Sequence, residues 1–142
     1  WLPCLPVEGV LVTPMANIMV VDDEREIIAL MRLILERAGH KVTTAGNGEE
    51  ALRDMGVEPA DPGSALPDLV VLDLMMPIVD GFTVAITMRD DPRTVKIPLL
   101  IVTAKSDMRD EFGAVPAVAG FFVKPFNPKQ LVETIAGILS VK

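Results

Sequence analysis

The 142-residue chain has little of the chemistry on which many small proteins depend. Cys4 is its only cysteine, which excludes an intramolecular disulfide and a cysteine-based zinc site and suits a reducing compartment. His40 is its only histidine, which excludes a histidine-rich metal site and a serine–histidine–aspartate triad unless His40 itself takes part. The net charge is −7, so no basic stripe is available for non-specific binding to nucleic acid or to an anionic membrane.

The chain also lacks an apolar stretch long enough to span a bilayer. Its first fourteen residues, WLPCLPVEGVLVTP, are apolar, but three prolines interrupt them and no Lys or Arg precedes Arg25, unlike a secretory signal. Met15-Ala16 has the form of a natural start. We therefore expect residues 1–15 to be a disordered or non-native extension, and residues 16–142 to form one cytoplasmic domain without a membrane partner.

Apolar runs alternate with amphipathic segments along the rest of the chain, half of whose residues are hydrophobic. The pattern predicts strands over residues 18–21, 42–45, 69–72, 99–102 and 121–123. It predicts helices over residues 24–38, 49–55, 82–89 and 127–139, and a weaker one over 106–115. Continuous apolar strands are typical of a parallel sheet covered on both faces, so we predict a doubly wound α/β fold with five parallel strands.

Polar residues follow four of the five predicted strands. Asp22 and Asp23 follow the first, Asp73 the third, Thr103 the fourth and Lys124 the fifth. In the flavodoxin-like order 2-1-3-4-5 the first and third strands are neighbours, so the three carboxylates would meet where this fold binds ligands. Two carboxylates 4 Å apart repel by roughly 4 kcal/mol at an effective dielectric near 20, and Lys124 offers one compensating charge. The cluster therefore predicts a hard divalent cation, Mg²⁺ (or Mn²⁺) rather than zinc.

Each of these residues also has an ordinary structural interpretation. An acid after a strand is most often a turn residue or a helix cap, Thr103 alone is most often a cap, and Lys124 alone a surface charge. The combination favours a site, because the polar groups share one edge of the sheet. Other classes lack their signatures: the chain has no phosphate-binding Gly-x-x-x-x-Gly-Lys-Ser/Thr and no dinucleotide glycine fingerprint. Met75 stands where a haloacid-dehalogenase-type phosphatase needs a second acid.

Four stretches, VVDDE, PDLVVLDLMMPIVDGF, LLIVTAK and FFVKPF, together resemble the receiver domain of two-component response regulators. The resemblance covers residues 17–142. It implies that Asp73 is a phosphoacceptor whose carboxylate attacks a phosphoryl group carried by a histidine kinase or a histidine phosphotransfer protein. Such a domain is a signalling phosphoacceptor rather than an enzyme, and we expect it to act on a downstream protein target without binding nucleic acid directly.

The resemblance also implies a ligand set for the magnesium ion. Asp23 and Asp73 would bind it directly, Asp22 would act through a water molecule, and the backbone carbonyl of Met75 would be a further ligand. Lys124 would pair with the phosphoryl group as a point charge.

A switch is implied around the acceptor. Thr103 would move to hydrogen-bond a phosphoryl oxygen, and Phe121 would swing into the space that it leaves, repacking the face beside the last strand. The alternative for Phe121 is ordinary core packing. Pro125 is a candidate for a cis peptide bond that aims Lys124 into the site. Pro77 and Gly81 would shape the loop after the acceptor, with Gly81 free to adopt a positive φ.

Some features depart from the resemblance or lie outside it. Gly113 and Pro116 interrupt the segment over residues 106–120, so we predict a short or irregular helix there. His40 lies at a helix–strand turn, where we expect it to be solvated. Residues 57–66 are interpreted as a surface loop. The alternative function is a receiver that docks partners without being phosphorylated.

Overall fold

The computed structural model describes residues 16–57, 61, 63–74, 80–103, 117–124 and 126–140. Its strands are β1 Asn17–Val21, β2 Lys41–Ala45, β3 Leu69–Leu72, β4 Leu99–Thr103 and β5 Val118–Val123. Its described helices are α1 Arg25–Arg37, α2 Gly48–Asp54, α3 Gly81–Arg89 and α4 Pro128–Ser140. All strand pairs are parallel, in the order β2-β1-β3-β4-β5. The predicted doubly wound fold and its strand order are confirmed.

Helices cover both faces of the sheet. β3 and β4 are buried along their whole length, as their uninterrupted apolar sequences require. On one face, α1 and α4 pack against the sheet through the buried side chains of Met31, Leu35, Leu131 and Ile135. On the other face, α2 and α3 do so through Ala51, Leu52, Val84, Ala85 and Met88. The two covered faces leave the carboxyl ends of the strands as the edge at which polar side chains gather.

The observed boundaries lie within one residue of the predicted ones, except at β5. This strand begins at Val118, three residues before the predicted start at Phe121. It pairs with β4 along that extra length through a shift of register between Leu99 and Leu100. The predicted extension over residues 1–15 and the irregular helix predicted after Thr103 lie outside the described residues. No helix in the described ranges has the length and apolarity to cross a membrane.

The side chain of Arg93 stabilises the loop between α2 and β3. The guanidinium of Arg93 donates hydrogen bonds of 2.9 to 3.3 Å to four backbone carbonyls, those of Met55, Gly56, Asp61 and Ser64. The planar fork of arginine suits this arrangement, since it presents several donors in fixed directions. Val57 and Leu66, at the two ends of the predicted surface loop, pack against the core. The loop is therefore anchored at both ends, while Asp61 and Gly63 between them are exposed.

The expectation that His40 is solvated is wrong. The side chain is only 4% exposed, and its Nδ1 accepts a hydrogen bond from the backbone N–H of Ala16 at 3.2 Å. Gly39, with φ of 99°, ends α1 in a tight turn in which the His40 N–H donates to the Leu35 carbonyl. This turn places the imidazole beside the start of β1. Burial lowers the pKa of His40, so the ring is neutral at pH 7.

Candidate functional site

Three carboxylates meet at the carboxyl edge of the sheet. Asp22 and Asp23 follow β1 and Asp73 follows the adjacent β3, whose final residues are in register with those of β1. The backbone fixes this placement, because the Asp73 N–H donates to the carbonyl of Val21 at 2.9 Å and the Asp22 N–H donates to that of Ala45 at 3.2 Å. One carboxylate oxygen from each of the three aspartates lies within 4.8 Å of the others. The predicted cluster is therefore assembled in the structure.

The cluster has the donor chemistry that Mg²⁺ favours. Its ligand atoms are carboxylate oxygens alone, with no nitrogen or sulfur donor in the group. Asp22 and Asp73 are buried and Asp23 is exposed, so one side of the group is open to solvent. This suits an ion that retains several of its water molecules. Met75, whose carbonyl was predicted as a further ligand, lies outside the described residues.

Lys124 brings a positive charge to the same edge from the end of β5. Its Nζ donates hydrogen bonds to Asp22 Oδ2 at 2.8 Å and to Glu24 Oε1 at 3.3 Å, and it lies 3.6 Å from Asp73 Oδ2. The Lys124 backbone N–H donates to the Thr103 carbonyl at 2.8 Å, which fixes the residue beside β4. One ammonium thus faces three carboxylates. Asp23 adds a fourth, so the formal net charge of the site is negative.

The pKa values of the buried pair reflect this crowding. Burial raises the pKa of Asp22, and its hydrogen bonds with Lys124 and with the Glu24 N–H only partly oppose that effect. Burial lowers the pKa of Lys124, but the hydrogen bond and charge of Asp22, the charge of Asp73 and the hydrogen bond of Glu24 outweigh it, so the pKa is raised. The ammonium is therefore firmly protonated at neutral pH, whereas an ionised Asp22 is costly without a further cation.

Thr103 and Phe121 lie on the side of this edge away from β1. Thr103 is the last residue of β4, is fully buried and pairs with Val123 of β5. Because side chains alternate along a strand, Phe121, two residues before Val123, points to the same face of the sheet as Thr103. Phe121 is half-buried against the core beside α2 and α3. A predicted switch pair therefore shares one face, and Pro125 lies outside the described residues.

The start of α3 holds the backbone that carries Asp73. Asp80 caps the helix, as its Oδ1 accepts a hydrogen bond from the Thr83 N–H at 2.8 Å. The positive φ predicted for Gly81 is wrong, since the positive-φ glycines of the described chain are Gly39 and Gly56. Gly81 is needed for close approach instead: a Cβ there would collide with the carbonyl oxygen of Asp73.

Glu24 is the site residue that the sequence reasoning missed. It directly follows the acid pair in VVDDE, and this position was the available signal. Its backbone N–H donates to Asp22 Oδ1 at 2.9 Å, and its side chain contacts Lys124. Glu24 is thus joined to the cluster at two points.

A comparison with protein families identifies the family to which this fold belongs. Residues 18–136 match the model of the response regulator receiver domain family. The chain belongs to this family. It is 37% identical over 124 residues to the alkaline phosphatase synthesis transcriptional regulatory protein PhoP of Bacillus subtilis, covering 87% of this chain and 48% of PhoP. It is 34% identical over 131 residues to the DNA-binding dual master transcriptional regulator RpaA of Synechocystis, covering 88% of this chain and 49% of RpaA.

Solved structures agree with this membership. The chemotaxis protein CheY4 of Vibrio cholerae is 31% identical and superposes with a TM-score of 0.75. The superposition covers 88% of this chain and 99% of CheY4. TrrA of Thermotoga maritima, solved in complex with Mg²⁺ and BeF, is 34% identical with a TM-score of 0.72, covering 86% of this receiver and 97% of TrrA. The resemblance drawn from the sequence is confirmed. This receiver spans about half the length of its curated relatives, and the expected absence of nucleic-acid binding is not supported, because RpaA is a DNA-binding regulator.

Proposed function

We propose that this receiver accepts a phosphoryl group on Asp73 from a histidine kinase or a histidine phosphotransfer protein, in a reaction that depends on Mg²⁺. The observation that carries the proposal is the placement of the Asp73 carboxylate, which is buried, grouped with those of Asp22 and Asp23, and 3.6 Å from the Lys124 ammonium. A nucleophilic carboxylate that receives a phosphoryl group needs positive charge beside it, and this edge of the sheet supplies it.

The chemistry follows from the residues present. An Asp73 carboxylate oxygen attacks the phosphorus of a phosphohistidine, the P–O bond forms, and the P–N bond breaks with its electron pair passing to the imidazole nitrogen. The Lys124 ammonium pairs with the charge on the phosphoryl oxygens, and the Thr103 hydroxyl donates a hydrogen bond to one of them. Asp23 and Asp73 directly, and Asp22 through a water molecule, would hold Mg²⁺, whose positive charge would offset the negative charge that Lys124 alone does not.

The response to phosphorylation is proposed to pass through Thr103 and Phe121. Movement of Thr103 towards the phosphoryl group leaves space on the face that it shares with Phe121, and the aromatic ring fills it. The changed surface beside β5 then binds a downstream partner. The contributions of Met75 and Pro125, the domain boundary at residue 16 and the cytoplasmic location stay predictions.

Phosphorylation by a small donor tests the proposal. The chain is incubated with acetyl phosphate and Mg²⁺ and examined by intact mass spectrometry, with Asp73→Asn and a chelator as the two controls. We expect one added phosphoryl group on the wild type and none in either control. A wild type that gains no phosphoryl group would favour the alternative, a receiver that docks partners without being phosphorylated.

A further inference from the structure

The side chain of Glu24 contacts a distant lysine and does not cap the helix that it begins. It is the N-cap residue of α1, with extended backbone angles of −92° and 113°, but its side chain makes no capping hydrogen bond. The shorter side chains of Ser, Thr, Asp and Asn ordinarily cap a helix by accepting a hydrogen bond from its first turn, and glutamate is not among these residues. Here Glu24 Oε1 accepts instead from Lys124 Nζ, 100 residues away in the chain. The side chain therefore links the end of β1 to the end of β5.

The three carboxylates around Lys124 hold it with different strength. An ammonium has three protons, and Asp22 and Glu24 each accept a hydrogen bond, whereas Asp73 at 3.6 Å lies just beyond hydrogen-bond distance. The Asp22 side chain is 1% exposed and that of Glu24 is 55% exposed. Solvent competes for an exposed ion pair. Such a pair therefore changes an equilibrium constant by a factor of about five at most. Glu24 is therefore the partner that Lys124 exchanges most easily.

We infer that Glu24 is a positioning residue that holds Lys124 at the rim of the site before phosphorylation and is displaced by the phosphoryl group. The inference rests on the proposed function, in which the phosphoryl group on Asp73 draws the same ammonium. Glu24 then competes with the phosphoryl group for Lys124. Removing the Glu24 charge strengthens phosphoryl binding and speeds phosphoryl uptake.

Three variants separate this role from a general effect of charge. Glu24→Gln keeps the length of the side chain and removes its charge. Glu24→Asp keeps the charge but is one methylene too short for the 3.3 Å contact, and aspartate at an N-cap readily turns to its own helix. Glu26→Gln is the matched control, since it removes a charge from the first turn of α1 at an exposed position. Thermal unfolding first establishes that all three fold like the wild type.

Two measurements are made at saturating Mg²⁺: the rate of phosphorylation by acetyl phosphate, and the affinity for beryllofluoride from backbone amide NMR shifts. We expect Glu24→Gln and Glu24→Asp to increase both by about twofold to fivefold, the range of an exposed ion pair. We expect Glu26→Gln to match the wild type. Beryllofluoride binding does not require a chemical step, so it tests Glu24 without dependence on the rate.

Other results overturn the inference or the proposed function, and they distinguish between the two. Wild-type values in Glu24→Gln would show that Glu24 does not restrain Lys124. If Glu24→Gln increases the rate and the affinity but Glu24→Asp keeps wild-type values, the charge of residue 24 acts without positioning Lys124. If Glu26→Gln increases both quantities as much as Glu24→Gln does, the effect is one of general charge. If the wild type gains no phosphoryl group but binds beryllofluoride, the proposed function fails while Glu24 is still tested. If it does neither, both fail.

Discussion

Two properties of Asp73 make its negative charge unfavourable in the resting protein. It is 4% exposed, and it shares its edge of the sheet with two other carboxylates whose oxygens lie within 4.8 Å. Lys124 compensates part of this charge, but it is bonded more closely to Asp22 and Glu24 than to Asp73. A buried acid among like charges destabilises the fold until a cation or a reaction changes the balance.

This balance predicts the effect of Asp73→Asn on stability. Without divalent ions the substitution removes repulsion from Asp22 and Asp23, so we expect the free energy of unfolding to increase by about 1 kcal/mol. With Mg²⁺ the difference should shrink, because a cation that binds the folded wild type stabilises it by mass action. Urea unfolding in chelator and in Mg²⁺ measures both. A variant less stable than the wild type in chelator would contradict the proposed repulsion.

His40 predicts a dependence of stability on pH. Burial lowers the pKa of His40 in the folded state, so below the ordinary value of 6.5 the unfolded chain binds a proton that the folded chain does not. The free energy of unfolding should therefore fall as the pH is lowered from 7.5 to 5.5, by at most about 1.4 kcal/mol per pH unit from this group. Protonation would also remove the acceptor at Nδ1 that binds the Ala16 N–H.

His40→Asn is the matched variant for that measurement. Its side-chain oxygen can take the place of Nδ1 as acceptor, and it does not titrate. Urea unfolding at several pH values should show a shallower slope in the variant. Equal slopes in the two proteins would mean that His40 does not carry the effect, whatever other groups contribute.

At single residues, sequence reasoning worked where position in the fold decides the role. Asp22, Asp23, Asp73 and Lys124 were predicted to meet because each follows a strand, and parallel strands bring such residues to one edge. The buried state of His40 could not be predicted in this way. It depends on how a turn directs one side chain, which hydrophobic periodicity does not specify.

The contact between α3 and the loop after β3 is decided at the scale of elements. The Gly81 N–H donates to the Leu74 carbonyl at 3.1 Å, which brings the start of the helix against the backbone beside Asp73. A Cβ on Gly81 would stand 2.8 Å from Leu74 Cα and closer still to the Asp73 carbonyl. These neighbours are backbone atoms of Asp73 and Leu74, which cannot move aside as a flexible side chain can.

We therefore expect Gly81→Ala to reduce the free energy of unfolding by about 1 to 3 kcal/mol, the usual cost of overpacking, and to displace Asp73. Gly137→Ala is the control, because a Cβ at this position of α4 meets nothing within 4 Å. It should increase stability by up to about 1 kcal/mol through helix propensity. Urea unfolding compares them, and phosphorylation by acetyl phosphate should be impaired only in Gly81→Ala. Equal stabilisation by the two alanines would disprove the close approach.

Element boundaries were predictable where local signals agree. Asn127 begins the last predicted helix, and its side chain accepts hydrogen bonds from the first turn of α4. The start of β5 was not predictable, because Ala119 and Gly120 carry no strand signal. That part of the strand exists through pairing with β4 across a register shift, which is a tertiary effect.

At the scale of the whole molecule, the strand order brings together charged residues that are distant in the sequence. It places β1 beside β3 and β4 beside β5, so that residues from position 22 to position 124 form one charged edge. The continuous apolar strands made this architecture predictable. The downstream process that this receiver controls is not contained in that pattern, and the curated relatives are about twice as long as the part of them that matches this chain.

The central claim is that Asp73 is the nucleophile, and locating the phosphoryl group tests it most directly. After incubation with acetyl phosphate and Mg²⁺, borohydride reduction converts a phosphorylated aspartate to homoserine, which peptide mass spectrometry can place in the chain. We predict homoserine at position 73 alone, dependent on Mg²⁺. Homoserine at position 22 or 23, or its formation elsewhere in Asp73→Asn at the wild-type level, would contradict the account.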